Sequence, residues 1–245
     1  MPPDPIGLRS GSSSVVAPDQ PVIGADIDDE GNCDWYDRSS LRGDFMVMID
    51  GQTEADYLRR APDGRFCEFI DGIVYMPPSV HSDHQFDLLF LSALVACYNA
   101  RRPIGVVQAG PAILKLRDGC LLEPDLFVLP VGTKAQIRAD GFSRLPASLV
   151  VEVLSPSNRS HDLTIKSALY REAEVAEIWF VDRRDRVLIV ERLEEGRYVT
   201  ERFEAGPVVS RSLPGFWFDA AWLWAEPEPN LLDCLDLILA GPPQV

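Results

Sequence analysis

Three acids stand inside runs of strand-forming residues: Glu68 in 66–70, Asp125 in 121–129 and Glu152 in 149–154. Side chains alternate along a strand, so each acid shares a face with apolar neighbours: Glu68 with Phe66 and Ile70, Asp125 with Phe127, Glu152 with Val150 and Leu154. An ionised carboxylate in such a place is strongly disfavoured unless a cation or hydrogen-bond donors compensate it. Taken singly, each reads most simply as a satisfied polar residue at a strand end. Three in strands expected to adjoin point to a common purpose, a hard divalent cation that takes oxygen ligands. An amine is also at hand. In the helix expected after the Glu152 strand, Lys166 lies on one face with Leu163 and Tyr170, three before and four after it. The alternative for Lys166 is a surface pair with Asp162 at i−4, worth only a few tenths of a kcal/mol.

The run 149–154 is apolar on both parities, so both faces of this strand should be covered. A helix is expected over about 160–173 after the Ser-Pro loop. Upstream, 66–70 and 73–76 form a hairpin joined by Asp71-Gly72. Thr53, with Asp56 three residues on, caps a short helix over 53–61. The segment 83–98 is apolar on nearly every face and predicts a buried helix. Strands are expected at 105–109, 112–117 and 121–129, a polar loop at 130–145, a strand pair at 177–181 and 186–192, an edge strand at 198–203 and a last helix at 230–240. Hairpins and strand–helix–strand passages together predict an α/β, α+β-type fold with a mixed central sheet flanked by helices and an N-terminal hairpin. One domain is expected over 41–225. An acidic, loosely attached tail would precede it at 1–40, and a C-terminal helix and tail would follow at 226–245.

Composition narrows the function classes. The net charge is −15, but 1–50 carries 10 acids against 3 arginines and 226–245 carries 4 acids and no base. The stretch 51–225 holds 24 acids and 20 bases, so polyanion binding would need a local basic patch. Five scattered cysteines (Cys33, Cys67, Cys97, Cys120, Cys234) form no C-x-x-C pair and read as reduced thiols of a cytoplasmic protein. No apolar run is long enough for a membrane span, and no secretory pattern opens the chain. His81 and His84 lack further ligands at zinc spacing. His84 reads as a structural or capping residue that could also contact substrate. Asn158 and Arg159, in the loop before the Lys166 helix, could touch a nucleic-acid backbone. There is no Walker loop, G-x-G-x-x-G or nucleophile elbow.

Pro124-Asp125 followed by Glu152-Val153-Leu154 resembles the PD-(D/E)XK nuclease superfamily, with Leu154 where its lysine usually stands. The ordered set of Glu68 to Gly72, Pro77 to Gln85, Pro124-Asp125, Val151 to Ser157 and Asp162 to Lys166 to Tyr170 is similar to the Uma-two group of restriction-endonuclease-like proteins, over about 45–225. The resemblance implies a restriction-endonuclease-like core and Mg²⁺ (or Mn²⁺) held by Asp125 and Glu152. Glu68 would hold a metal-bound water or second cation, and Lys166 would be a migrated catalytic lysine. It further implies phosphodiester hydrolysis of DNA by a protein that works as a homodimer, since two strands need two sites. A catalytically silent binding module on the same fold is the rival expectation, and a metal-dependent hydrolase of another substrate is a third.

Overall fold

The computed structural model describes residues 13–16, 23–25, 46–60, 66–77 and 82–243. The tail expected at 1–40 lies outside them apart from two short strands, as does His81. In chain order the elements are β1 (Ser13–Val16), β2 (Ile23–Ala25), β3 (Met46–Ile49), α1 (Glu54–Arg60), β4 (Glu68–Ile70), β5 (Ile73–Met76), α2 (Ser82–Arg101), β6 (Val106–Ala109), β7 (Leu114–Arg117), β8 (Cys120–Leu122) and β9 (Leu126–Leu129). They continue with α3 (Lys134–Asp140), β10 (Ser143–Arg144), β11 (Leu149–Val153), α4 (Arg159–His161), a π turn (Asp162–Lys166), α5 (Ser167–Glu172), β12 (Glu177–Asp182), β13 (Val187–Glu194) and β14 (Arg197–Phe203). The last are β15 (Pro207–Val209), β16 (Trp217–Asp219), a 3₁₀ turn (Ala220–Trp224) and α6 (Leu231–Ala240).

β11 lies inside a six-stranded mixed sheet of order β14-β13-β12-β11-β9-β6. It runs parallel to β12, through the crossover that carries α4, the π turn and α5, and antiparallel to β9. Its alternation sorts as the sequence predicts. Leu149, Val151 and Val153 join the core under α2 and α6, where Leu91, Leu94, Tyr98, Leu235 and Ile238 also lie. Val150 and Leu154 join the opposite core with Phe127, Ile178, Phe180 and Tyr170. Glu152 therefore faces the second core.

That second core is closed by another sheet, of order β10-β7-β8-β4-β5-β3-β1-β2 among the described residues. The predicted hairpin is β4–β5, and Asp71 and Gly72 both take positive φ, at 46° and 94°. This is the geometry that an Asp-Gly two-residue turn supplies. The mixed sheet is thus present, and the hairpin stands in a second sheet rather than extending the first. Ile70 and Tyr75 of the hairpin pack in the core that Glu152 faces. Thr53 caps α1 as expected: Asp56 N–H donates to Thr53 Oγ1 at 3.1 Å and Thr53 N–H to Asp56 Oδ2 at 3.3 Å.

Three expectations are corrected. The loop at 130–145 contains α3, stopped by Gly141 at φ 79°. Helix-compatible residues in KAQIRAD and an αL cap outweigh the polar composition that suggested a loop. α2 is not fully buried: Phe86 is 53% and Leu89 68% exposed. Finally, the strand expected at 121–129 breaks into β8 and β9 at Glu123-Pro124-Asp125, where proline cannot donate to a ladder.

Candidate active site

The break between β8 and β9 places Asp125. In the β9–β11 register Val151 pairs with Leu126, so Asp125 lies one residue further along, across from Glu152. Its Oδ2 accepts from Val153 N–H at 2.7 Å and lies 3.2 Å from His84 Nε2 on the buried face of α2. The close approach of Gly110, whose N–H donates to Asp125 C=O at 2.8 Å, fixes the loop from the other side. A Cβ at Gly110 would meet the Phe66 ring at 2.7 Å.

Glu68 arrives from β4 in the second sheet. Lys166, only 5% exposed, arrives from the last residue of the π turn. Its Nζ lies 2.9 Å from Glu68 Oε1, 2.7 Å from Glu152 Oε1 and 3.6 Å from Asp162 Oδ1. One amine thus joins two sheets and a helix. The surface pair considered for Lys166 and Asp162 is overturned, since both are buried. Tyr170 Oη donates to Glu152 Oε1 at 2.5 Å. His161 Nε2 is buried 3.5 Å from Glu68 Oε2, and its ring lies against Tyr75 at 5.1 Å. Glu123 accepts from Cys67 N–H at 2.8 Å, while its own N–H donates to Glu68 Oε1 at 3.3 Å.

The electrostatics follow from one ammonium among several buried acids. Burial pushes Glu68 up, but Lys166 and His161 outweigh it and hold the carboxyl at about 2. Glu152 goes the other way. Burial, with Asp162, Asp125 and Glu68 nearby, drives it well above the usual carboxylate range against the pull of Lys166. Burial likewise lifts Asp162 to about 6 and Glu123 to about 7. Burial pulls the Lys166 ammonium down, yet Glu152 and Glu68 overcome it and hold it well above its ordinary value. A single cation cannot keep every carboxylate of this cluster ionised, and protons make up the deficit.

Glu177 shows what a fully satisfied buried acid looks like. It is bonded to Arg192, Trp179, Ser210, Ser212 and the N–H of Arg211. Among the described residues the Glu152 cluster has fewer donors for its acids. Its oxygen-rich, charge-deficient donor set suits a hard divalent cation. The donors do not converge: among the described residues no group of three His, Cys, Asp or Glu side chains is arranged to hold a metal ion. Asp125 faces Val153 and His84, whereas Glu68 and Glu152 face Lys166.

The fold is of the restriction-endonuclease-like type. Residues 54–221 match the Uma2 family, described as "Putative restriction endonuclease", and the chain belongs to that family. A solved structure described as a putative nuclease belonging to DUF820, from Anabaena variabilis, superimposes with a TM-score of 0.53 at 15% identity. The match covers 76% of this chain and 99% of that one. No curated protein matches the chain.

Of the residues singled out in the sequence, Glu68, Glu152 and Lys166 meet directly. Asp125 and His84 form an adjoining pair. Arg159 is taken up by Asp182 at 2.8 Å and Asp185 at 3.1 Å, and Asn158 sits at the start of α4. Sequence reasoning missed His161, the burial of Asp162, the Tyr170 hydroxyl and Glu123. The spacing Asp162, Lys166, Tyr170 carried part of that signal, because residues four apart share a helix face.

Proposed function

We propose that this chain is a divalent-metal-dependent endodeoxyribonuclease. Its nuclease-type family supports a nucleic-acid substrate, and DNA, Mg²⁺ (or Mn²⁺) and a working homodimer complete the reading. No helix among the described residues is long and apolar enough to cross a membrane, and a cytoplasmic setting is part of the proposal. The observation that carries it is the delivery of one buried amine, Lys166, onto Glu68 and Glu152 at 2.9 and 2.7 Å. The strand position that holds a lysine in the wider superfamily is occupied by Leu154, so the cation comes from the helix instead.

Asp125 and Glu152 would hold the metal, with Glu68 beside them. When bound, the metal supplies Lewis-acid activation of the scissile phosphate and of the attacking water. The chain's own groups do the rest. Val153 N–H and His84 fix Asp125 from two sides. Tyr170 fixes Glu152. Lys166, held protonated by its two carboxylates, acts as a donor to charge developing on the phosphate oxygens rather than as a base. Water attack at phosphorus with rupture of the P–O3′ bond leaves a 5′-phosphate and a 3′-hydroxyl.

The test is Mg²⁺-dependent nicking of supercoiled plasmid. Asp125→Ala and Glu152→Ala should each abolish it, and nicking that survives both changes would defeat the assignment. A second reading, a catalytically inactive nuclease-fold binding module, is favoured by one observation. The carboxylates of Glu68 and Glu152 are already occupied by Lys166 and do not converge with Asp125. Calorimetric titration with Mg²⁺ and Mn²⁺ separates the two: binding supports the enzyme, and no binding supports the silent module.

A further inference from the structure

α2 carries a surface that its role at the site does not explain. Ser82, Phe86, Leu89, Ala93, Ala96 and Ala100 recur at alternating spacings of four and three, the seam pattern of paired helices. They lie opposite the buried stripe of Leu88, Leu91, Leu94, Val95 and Tyr98. Phe86, Leu89, Ala96 and Ala100 are exposed, and Ala93 is half-buried. Between Asp83 and Arg101 the only other Asp, Glu, Lys or Arg is Asp87, which is buried and bonded bidentately to Arg183 at 2.6 and 2.8 Å. A solvated helix face is ordinarily charged, and this one is uncharged for about four turns.

We propose that this face of α2 pairs antiparallel with the same face of a second copy of this chain, about a twofold axis near Ala93. The order of residues decides the occupant and the direction. The bulky members, Phe86 and Leu89, occupy the N-terminal half and the small ones, Ala96 and Ala100, the C-terminal half. Antiparallel pairing sets Phe86 against Ala100 and Leu89 against Ala96, large into small on both sides of the axis. Parallel pairing would set Phe86 against Phe86. The direction agrees with the helix dipoles, which attract when opposed. The face is self-complementary, as an isologous interface requires. One helix pair buries less than a stable interface of about 1,200–2,000 Å² does, so the dimer dissociates on dilution. The inference supplies a contact for the homodimer proposed above; it is argued from the surface, and its failure would leave the metal-dependent cleavage reading to its own test.

Sedimentation equilibrium of the full chain over a concentration series tests it. The wild type should show a reversible monomer–dimer equilibrium. Leu89→Lys and Ala96→Glu should each raise the dissociation constant by at least about tenfold, equivalent to 1.4 kcal/mol, with unchanged circular dichroism. In a Cys97→Ser background, Ala93→Cys should cross-link to itself under mild oxidation, and Cys97→Ser alone should not. A monomeric wild type, as would result if another part of the same chain covered this face, overturns the proposal. So does a dimer indifferent to both charge substitutions, or one in which Ala93→Cys fails to cross-link.

Discussion

Lys166 and Tyr170 divide Glu152 between them, and each removal should cost in a different way. Lys166→Met withdraws the ammonium that pairs with Glu68 and Glu152, leaving these buried carboxylates without that cation. It should destabilise the fold by about 3–5 kcal/mol, read from urea unfolding. Adding Glu68→Gln and Glu152→Gln should recover much of that loss, because the stranded charges are then gone. Tyr170→Phe removes one donor and no charge. It should cost about 1–2 kcal/mol of stability and, by freeing the carboxylate to reorient, about 10- to 100-fold in cleavage rate. Cleavage at the wild-type rate by Tyr170→Phe would show that the bond from the Tyr170 hydroxyl to Glu152 is only structural.

At the scale of elements, the π turn is what aims Lys166. Arg159–His161, Asp162–Lys166 and Ser167–Glu172 form one helical run with the wide turn in its middle, and such turns recur at functional sites. Asp162, Lys166 and Tyr170 recur every fourth residue along this run, and Lys166 is the last residue of the wide turn. Deleting the exposed Ile165 should restore α-helical register and rotate the upstream residues by about 100° relative to Tyr170. Helix content should persist by circular dichroism while cleavage is lost; retained cleavage would show that the wide turn is incidental.

The elements also show what was legible in the sequence. The two-parity run at 149–154 gave β11 and the facing of Glu152, since strand alternation is local geometry. Asp71-Gly72 gave the β4–β5 hairpin, and Thr53 with Asp56 gave the cap of α1. What escaped depends on non-local packing. Nothing in 66–76 states that its hairpin stands in a second sheet closing over the first. Nothing in Tyr170 distinguishes a core ring from one whose hydroxyl meets Glu152. α3 hid in a polar stretch because polarity and helicity are compatible. α2 is apolar on nearly every face in sequence, and Phe86 and Leu89 are nonetheless exposed, because apolar composition does not say which face the neighbouring elements cover.

For the whole molecule, the charge deficit of the cluster sets how stability depends on pH in the presence of chelator. Glu123, raised by burial to about 7, and Asp162, raised by burial to about 6, bind protons more tightly folded than unfolded. Stability therefore falls as pH rises, from about 4.5 to about 7 for Glu123 and from about 4 to about 6 for Asp162. Glu68, held at about 2, has the opposite sign: its contribution is complete above about 4.5 and is lost as pH falls toward 2. The melting temperature should peak near pH 4–5, and Glu123→Gln should flatten its decline on the alkaline side. A melting curve that rises steadily from pH 5 to pH 8 would contradict the burial of these acids in ionisable form. The same arithmetic explains how a chain of net charge −15 could act on a polyanion. Much of its acidity lies toward the two ends of the sequence, and the cluster itself retains protons.

The central claim is that Lys166, carried by the helix, supplies the cation that Leu154 cannot. The direct measurement is the single-turnover rate of Mg²⁺-dependent plasmid nicking by Lys166→Gln, at a temperature where its circular dichroism matches the wild type. The account predicts a fall of about 10²- to 10³-fold, the size expected when one charge-stabilising donor is removed. Nicking by the folded variant at the wild-type rate would contradict it.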